Sequence, residues 1–126
     1  MGSGIAQVAA QAGHKVYLHD QRDGAATAGR DGIAKQLQRR VDKGKMEQQT
    51  VDAIVGRIQP VSALSEVADS RMVIEAIIED LEIKHSLLAD LEELCGEDAI
   101  LATNTSSISV TALGAKLRHP KRLVGM

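Results

Sequence analysis

Aromatic side chains are almost missing from this sequence: one Tyr, no Trp and no Phe in 126 residues. Platforms that stack single-stranded bases need such rings, so that mode of nucleic-acid binding has almost nothing to be built from. A single cysteine, Cys95, excludes an internal disulfide framework and a cysteine-rich zinc site, and is compatible with a reducing compartment. No apolar run approaches the roughly 18 residues of a membrane span. Nor does the chain open on a basic stretch followed by an apolar one, as a secretory signal does. The expectation is a cytoplasmic protein with no membrane partner. Charge of either sign is not in excess: 15 Lys and Arg stand against 17 Asp and Glu, a net −2. That balance excludes a generic basic nucleic-acid binder and a polyacidic tail. Pro60 and Pro120 are the two prolines, and no repeat, low-complexity segment or Pro/Ser-rich linker breaks the chain.

What is present is ordinary for a folded domain: 44% apolar and 25% charged residues. One domain of this length buries roughly 65–70% of its unfolded surface. Ile5, Val8, Ala9 and Ala12 make a helical stripe, and Gly13 stands where a C-terminal cap belongs. A short strand follows over 15–20. A polar helix is predicted over 24–43, with Ile33, Leu37 and Val41 inward and Gly44 ending it. A shorter helix over 46–56 turns Val51, Ile54 and Val55 inward. Residues 58–64 read as an edge strand, because Pro60 cannot donate to a ladder. The apolar run 72–78 reads as a strand buried on both faces. Residues 81–94 form a helix with Lys84, Leu87, Leu88, Leu91 and Leu94 on one face. A strand over 99–103, a helix over 108–117 and a strand from 122 complete the pattern. This alternation predicts an α/β fold with a mainly parallel sheet and helices on both faces. The chain begins on a helix and stops on a strand, so both ends are expected to be cut rather than finished.

Two features carry chemistry. Gly2 and Gly4 stand at the mouth of the first helix, where a phosphate can approach bare N–H groups and the positive end of the helix dipole. Asp20 ends the next strand, 18 residues after Gly2, close to where a dinucleotide fold places its ribose-binding acid. Gly-Ser-Gly after Met is also what a cloning remnant leaves, and Asp at a strand end is common turn chemistry. The four histidines, His14, His19, His85 and His119, lie on different elements without metal-ligand spacing, and no metal site is expected. Ser106 lacks a GxSxG elbow, which argues against a hydrolase.

Met1-Gly2-Ser3-Gly4-Ile5-Ala6, Val73-Ile74-Glu75-Ala76 and above all Thr103-Asn104-Thr105-Ser106-Ser107 resemble the NAD-binding domain of the L-3-hydroxyacyl-CoA dehydrogenases. The resemblance covers the whole chain and is strongest to the bacterial 3-hydroxybutyryl-CoA type. It implies a Rossmann-type fold of strand order 3-2-1-4-5-6, with residues 1–126 a partial NAD-binding domain. The family's first strand and two glycines of GxGxxG would precede Met1, making Gly2 the third glycine. Its catalytic His, the Glu that orients it and a helical dimerising domain would follow Met126. The reaction implied is NAD-dependent oxidation of an L-3-hydroxyacyl-CoA to the 3-oxoacyl-CoA, in fatty-acid or aromatic-acid breakdown, by a homo-oligomer such as a dimer. Without the His and Glu, residues 1–126 alone are expected to be inactive.

The resemblance also assigns residues. Asp20, with Gln21 beside it, would meet the adenosine ribose, and Gly2 the phosphates. Glu79 and Lys84 would lie at the nicotinamide half, and Asn104 would be a further cofactor-binding residue. Ser106 would touch both nicotinamide and substrate, donating to the developing C3 carbonyl oxygen without becoming a nucleophile. The helical pair over 24–56 matches an insertion that contacts coenzyme A, with Lys43 near its phosphates and Gln36 where some members carry a Ser. The surrounding Lys35, Arg39, Arg40 and Lys45 suit an anionic ligand. Plainer readings stand beside these: Glu79 as a helix-start acid, Lys84 as a solvated lysine, 104–107 as a helix cap and the basic group as a wet face. Two other functions remain open, a non-catalytic binding or assembly fragment and a dehydrogenase of another hydroxy substrate on this fold. Asp20 disfavours a 2′-phosphate and so favours NAD over NADP, although Arg22 stands nearby.

Overall fold

The computed structural model describes residues 2–126. Two compact units divide the chain, one ending at Leu64 and the other beginning at Ser65. The first holds α1 (Gly2–Gln11), β1 (Val16–His19), α2 (Ala25–Asp42), α3 (Gln48–Gly56) and β2 (Ile58–Val61). The second holds β3 (Met72–Glu75), α4 (Leu81–Leu94), β4 (Ile100–Thr103), α5 (Val110–Ala115) and β5 (Leu123–Gly125). Met1, which opens the glycine motif, lies outside the described residues.

In the first unit α2 and α3 present Ile33, Leu37, Val51 and Ile54, and these meet Ile58 of β2 and Ala6 and Ala10 of α1 in one core. The predicted stripe on α1 is corrected here. Val8 is 65% exposed, and the buried positions are Ala6 and Ala10. That face meets the core residues of α2 and α3, and α1 comes close to α2 at Gly29, where a Cβ would sit 2.8 Å from the Ser3 hydroxyl and 3.3 Å from the Leu18 side chain. Gly13 and Gly44 end α1 and α2 as expected, at φ of +99° and +71°. Each closes a pair of reversed hydrogen bonds, His14 N–H to Ala9 O and Gly13 N–H to Ala10 O, then Lys45 N–H to Arg40 O and Gly44 N–H to Val41 O.

β1 pairs with β2 in parallel, from Val16 opposite Ile58 to His19 opposite Val61. Both strands of that pair are edges, which accommodates Pro60. In the second unit β4 lies between β3 and β5, again all parallel. The expectation of one sheet is thus met as two, pairing as strands 2-3 and 4-5-6 do in the order 3-2-1-4-5-6. β3 is shorter than the apolar run suggests and its first residue, Met72, is 49% exposed. The strand stops because the Glu75 carboxylate takes the Ile77 N–H at 3.0 Å and turns the chain out of the ladder. α4 starts where predicted, capped by Asp80, whose carboxylate accepts from the Ile83 N–H. At its other end Glu92 accepts from the Arg118 and His119 N–H groups, and the Arg122 guanidinium donates to the carbonyls of Glu92, Gly96 and Ala99. That clamp seats the segment leading into β5. No described helix is long and apolar enough to cross a membrane.

Two glycines, one inside α2 and one just after it, give opposite expectations. Gly44→Ala forces a Cβ into the left-handed region and is expected to cost about 1 kcal/mol. Gly32, exposed inside α2 with open space at its Cβ, gains about 0.8–1.0 kcal/mol on substitution by Ala. Urea unfolding of the two variants checks both signs.

Candidate functional site

The chemistry of the second unit begins at a charge in an apolar place. Lys84 points from the first turn of α4 into the interior and its side chain is 0% exposed. An ammonium there is tolerable only if its protons are all taken. They are: Nζ donates to Glu75 Oε1 at 2.6 Å and to the Ile77 carbonyl at 3.3 Å, and pairs with Glu79 Oε1 at 3.1 Å. The solvated-lysine reading is therefore excluded. Glu75, the last residue of β3, is equally buried and spends its second oxygen on the Thr103 hydroxyl.

Glu79 stands at the rim, its side chain 36% exposed. Its Oε2 accepts from the Thr105 hydroxyl at 2.7 Å, the Ser107 hydroxyl at 2.7 Å and the Ser107 N–H at 3.2 Å. The Ser107 and Thr105 hydroxyls, with Lys84 behind, hold its carboxyl down at about 2. Glu79 is thus no helix-start acid; Asp80 has that place, and Glu79 organises the turn 104–107 instead. The helix-cap reading of that turn is corrected too, since Ser109 caps α5 by accepting from the Ala112 N–H. Thr105 accepts from the Ile108 N–H, and the Asn104 N–H donates to the Glu75 carbonyl. Ser106 stands exposed between these anchored neighbours. Oε1 of Glu79 pairs with Lys84, and a carboxylate oxygen of a side chain 36% exposed can accept a second hydrogen bond.

The first unit carries the other candidates. Asp20 closes a cleft of about 180 Å³, lined also by Gln21, Arg22, Gly24, Pro60 and Ser62. Arg22 grips its carboxylate by Nε and Nη2, both at 3.2 Å, and by its N–H at 2.9 Å. These bonds lower the Asp20 pKa. Oδ2 carries one of the three, so an acceptor remains for a ribose hydroxyl. Gly2 lies in the first turn of α1. Gln36 and Lys43 are exposed on α2, and Lys43 forms its C-cap. Lys35, Arg39, Arg40 and Lys45 are exposed beside them, and among the described residues no ion pair engages any of the five cations.

The structure therefore joins Glu79, Lys84, Asn104 and the Ser106 turn in one network, and Asp20 with Gln21 in one cleft. Sequence reasoning missed Glu75 and Thr103 as members. The available signal was an acid interrupting the apolar run 72–78, nine residues before a lysine on the inner face of a helix. His85, by contrast, meets only the Lys116 carbonyl at 3.2 Å.

Comparison with known proteins follows the same outline. The model of the 3-hydroxyacyl-CoA dehydrogenase NAD-binding domain matches residues 1–126. The chain is 44% identical over its whole length to the 3-hydroxyadipyl-CoA dehydrogenase of Escherichia coli K12, of which it covers 26%. It is 38% identical over its whole length to a 3-hydroxybutyryl-CoA dehydrogenase of Mycobacterium tuberculosis, of which it covers 44%. A crystal structure of 3-hydroxybutyryl-CoA dehydrogenase from E. coli K12 superposes with a TM-score of 0.95 at 44% identity, over 99% of this chain and 26% of that one. The chain thus spans between a quarter and a half of these relatives.

The depressed Glu79 pKa gives a pH expectation. Its carboxylate is favoured in the folded state, so the contribution is present above the unfolded value of 4.5 and is lost as pH falls toward about 2. Protection of the Ser107 amide from hydrogen exchange should hold at neutral pH and collapse within that window. A protected Ser107 at the acid end contradicts the assignment.

Proposed function

The chain belongs to the 3-hydroxyacyl-CoA dehydrogenase family, through that family's NAD-binding domain, and from this we propose that it binds NAD and orients an L-3-hydroxyacyl-CoA for oxidation to the 3-oxoacyl-CoA. The observation that carries the reading is the Glu79 network, a rim carboxylate with one acceptor open and the Ser106 turn fastened to it. Bound NAD would supply the acceptor for the hydride leaving C3. Gly2 at the α1 N-terminus would face phosphate, and Asp20 and Gln21 the adenosine ribose. Glu79 would take a hydroxyl of the nicotinamide ribose, with Lys84 and Asn104 supporting it. Ser106, exposed and held by its neighbours, would donate to the C3 oxygen and fix its direction, which is positioning rather than covalent catalysis. Lys43, Gln36 and the neighbouring cations would receive the anionic end of coenzyme A. In this reading residues 1–126 are the NAD-binding domain, with 24–56 the coenzyme A-contacting insertion. Residues 1–126 bind and position, and the proton-accepting base comes from elsewhere in the assembled enzyme.

The finer assignments are a cytoplasmic homo-oligomer, such as a dimer, working in fatty-acid or aromatic-acid breakdown, with no nucleic-acid partner. The free, buried thiol of Cys95 suits a reducing compartment. The relatives are named for 3-hydroxyadipyl and 3-hydroxybutyryl substrates.

An NADH fluorescence titration, competed by NAD, tests the reading, and the absence of Trp keeps protein emission low. Saturable binding is expected. Glu79→Gln and Asp20→Ala should each weaken it on the order of tenfold, the size of one charge-assisted hydrogen bond. No saturation up to about 1 mM NADH, or full affinity in both variants, overturns it.

A further inference from the structure

Arg22 is a long cation held still at the surface. Its side chain is 82% exposed, yet Nε and Nη2 each reach one oxygen of the Asp20 carboxylate at 3.2 Å, and its own N–H takes Oδ1 at 2.9 Å. Two donors on two acceptors fix the guanidinium plane, because the fork and the carboxylate share it. An exposed ion pair adds little to stability, so the fold does not depend on this grip. Arg22 lines the cleft beyond the C-terminal ends of β1 and β2, where half-buried Pro60 and buried Val61 supply apolar surface. A flat ligand needs a flat partner there. The sequence has no Phe or Trp, and Tyr17 does not line the cleft and carries Lys15 over its ring at 5.0 Å. Of the side chains that do line it, Arg22 has the widest delocalised plane.

We infer that Arg22 is the plate on which the adenine of the dinucleotide stacks, a cofactor-binding residue beside Asp20. The inference deepens the proposed NAD site and rests on it for the identity of the ligand. Asp20 and Arg22 divide one nucleoside between them. Oδ2 of Asp20 has acceptor capacity for a ribose hydroxyl, and the guanidinium face takes the base joined to that ribose. One edge of the fork is engaged by Asp20, which leaves its faces to a ring. A guanidinium is weakly hydrated and stacks on aromatic faces. Its orientation is set in advance, so binding orders it less than it would a free arginine. A base laid over the pair also takes it out of water, where its attraction strengthens. Donors remain on Nη1, but the Asp20 and Asp23 carboxylates line the same cleft and oppose an additional phosphate. The charge around Arg22 therefore favours a neutral ring over a second anion.

The test uses the full chain, titrated separately with NADH, NADPH and adenosine monophosphate. NADH and adenosine monophosphate should move the Arg22 Hδ and Hε resonances upfield, as protons over an aromatic ring face move. Arg22→Ala should weaken both ligands on the order of tenfold. Arg22→Lys keeps a cation beside Asp20 but has no plane, and it should weaken them as much. Arg22 is too exposed to carry much of the fold, so the melting temperature of both variants should stay in place. Affinity restored by Lys shows that charge on Asp20 is what matters, and overturns the plate. So does full affinity in Arg22→Ala, and so does a loss confined to NADPH, which makes Arg22 a phosphate ligand. NADH that saturates without moving Arg22 overturns the plate alone and leaves the cofactor reading intact. Adenosine monophosphate that shifts Arg22 while NADH fails to bind does the reverse. Binding of neither at millimolar concentration overturns both.

Discussion

Lys84 cannot be left uncompensated. A buried ammonium without partners would shed its proton or unfold its surroundings, and removing one member of such a buried pair typically costs about 3–5 kcal/mol. The second unit is arranged around that demand. β3 ends on Glu75 because an acceptor is needed there, and the chain then bends so that the Ile77 carbonyl also faces the ammonium. α4 starts at Leu81, which brings Lys84 inward on the same face as Leu88 and Leu91. β4 ends on Thr103, whose hydroxyl satisfies the remaining carboxylate oxygen. A polar network of this kind specifies geometry when every member is satisfied, and no buried side-chain polar atom among the described residues lacks a partner.

The first unit solves a different problem. Among its described residues there is no comparable buried charge, and its core is small and aliphatic. α1 comes close to α2 at Gly29 and Ser3, and Ala6 and Ala10 are its buried positions. What remains polar is moved outward: Asp20 and Arg22 to the cleft at the end of β1, the five cations to the outer surface around the end of α2. One unit therefore offers a carboxylate and a helix N-terminus on a small-residue scaffold. The other offers a carboxylate and a hydroxyl on a buried ionic one. Both carboxylates are already held by a basic side chain and keep acceptor capacity for a ligand hydroxyl.

Most elements were legible because their signals are local. Gly13 and Gly44 mark helix ends by a backbone preference that needs no tertiary partner. Period alone gives Lys84, Leu88 and Leu91 of α4, while Leu87 is half-buried and Leu94 exposed near the helix end, and α2 declares Ile33 and Leu37 the same way. Asp20, Glu79 and Ser106 were named by resemblance to a family, and Ser106 and Ser107 are exposed while Thr103 is buried. Where reasoning from pattern failed, the cause was packing between elements. Val8 is more apolar than Ala6, yet α1 buries Ala6 and Ala10 in the core and leaves Val8 65% exposed. Glu75 was read as one residue in an apolar strand, since its partners lie 9 and 28 residues away.

By itself, then, the sequence determined the alternation of helices and strands, the glycine ends of α1 and α2, the family motif, the scarcity of aromatic residues and the lack of an internal disulfide. These depend on residue type and on spacing of a few positions. The tertiary structure alone decided which oxygen of each carboxylate is still free, that Lys84 is interior and saturated, and that Ser109 rather than the family motif caps α5. Those facts depend on which side chains meet across β3, α4 and the 104–107 turn. A lysine at a given helical period can point to water or to a carboxylate; only the presence of Glu75 beneath it settles which.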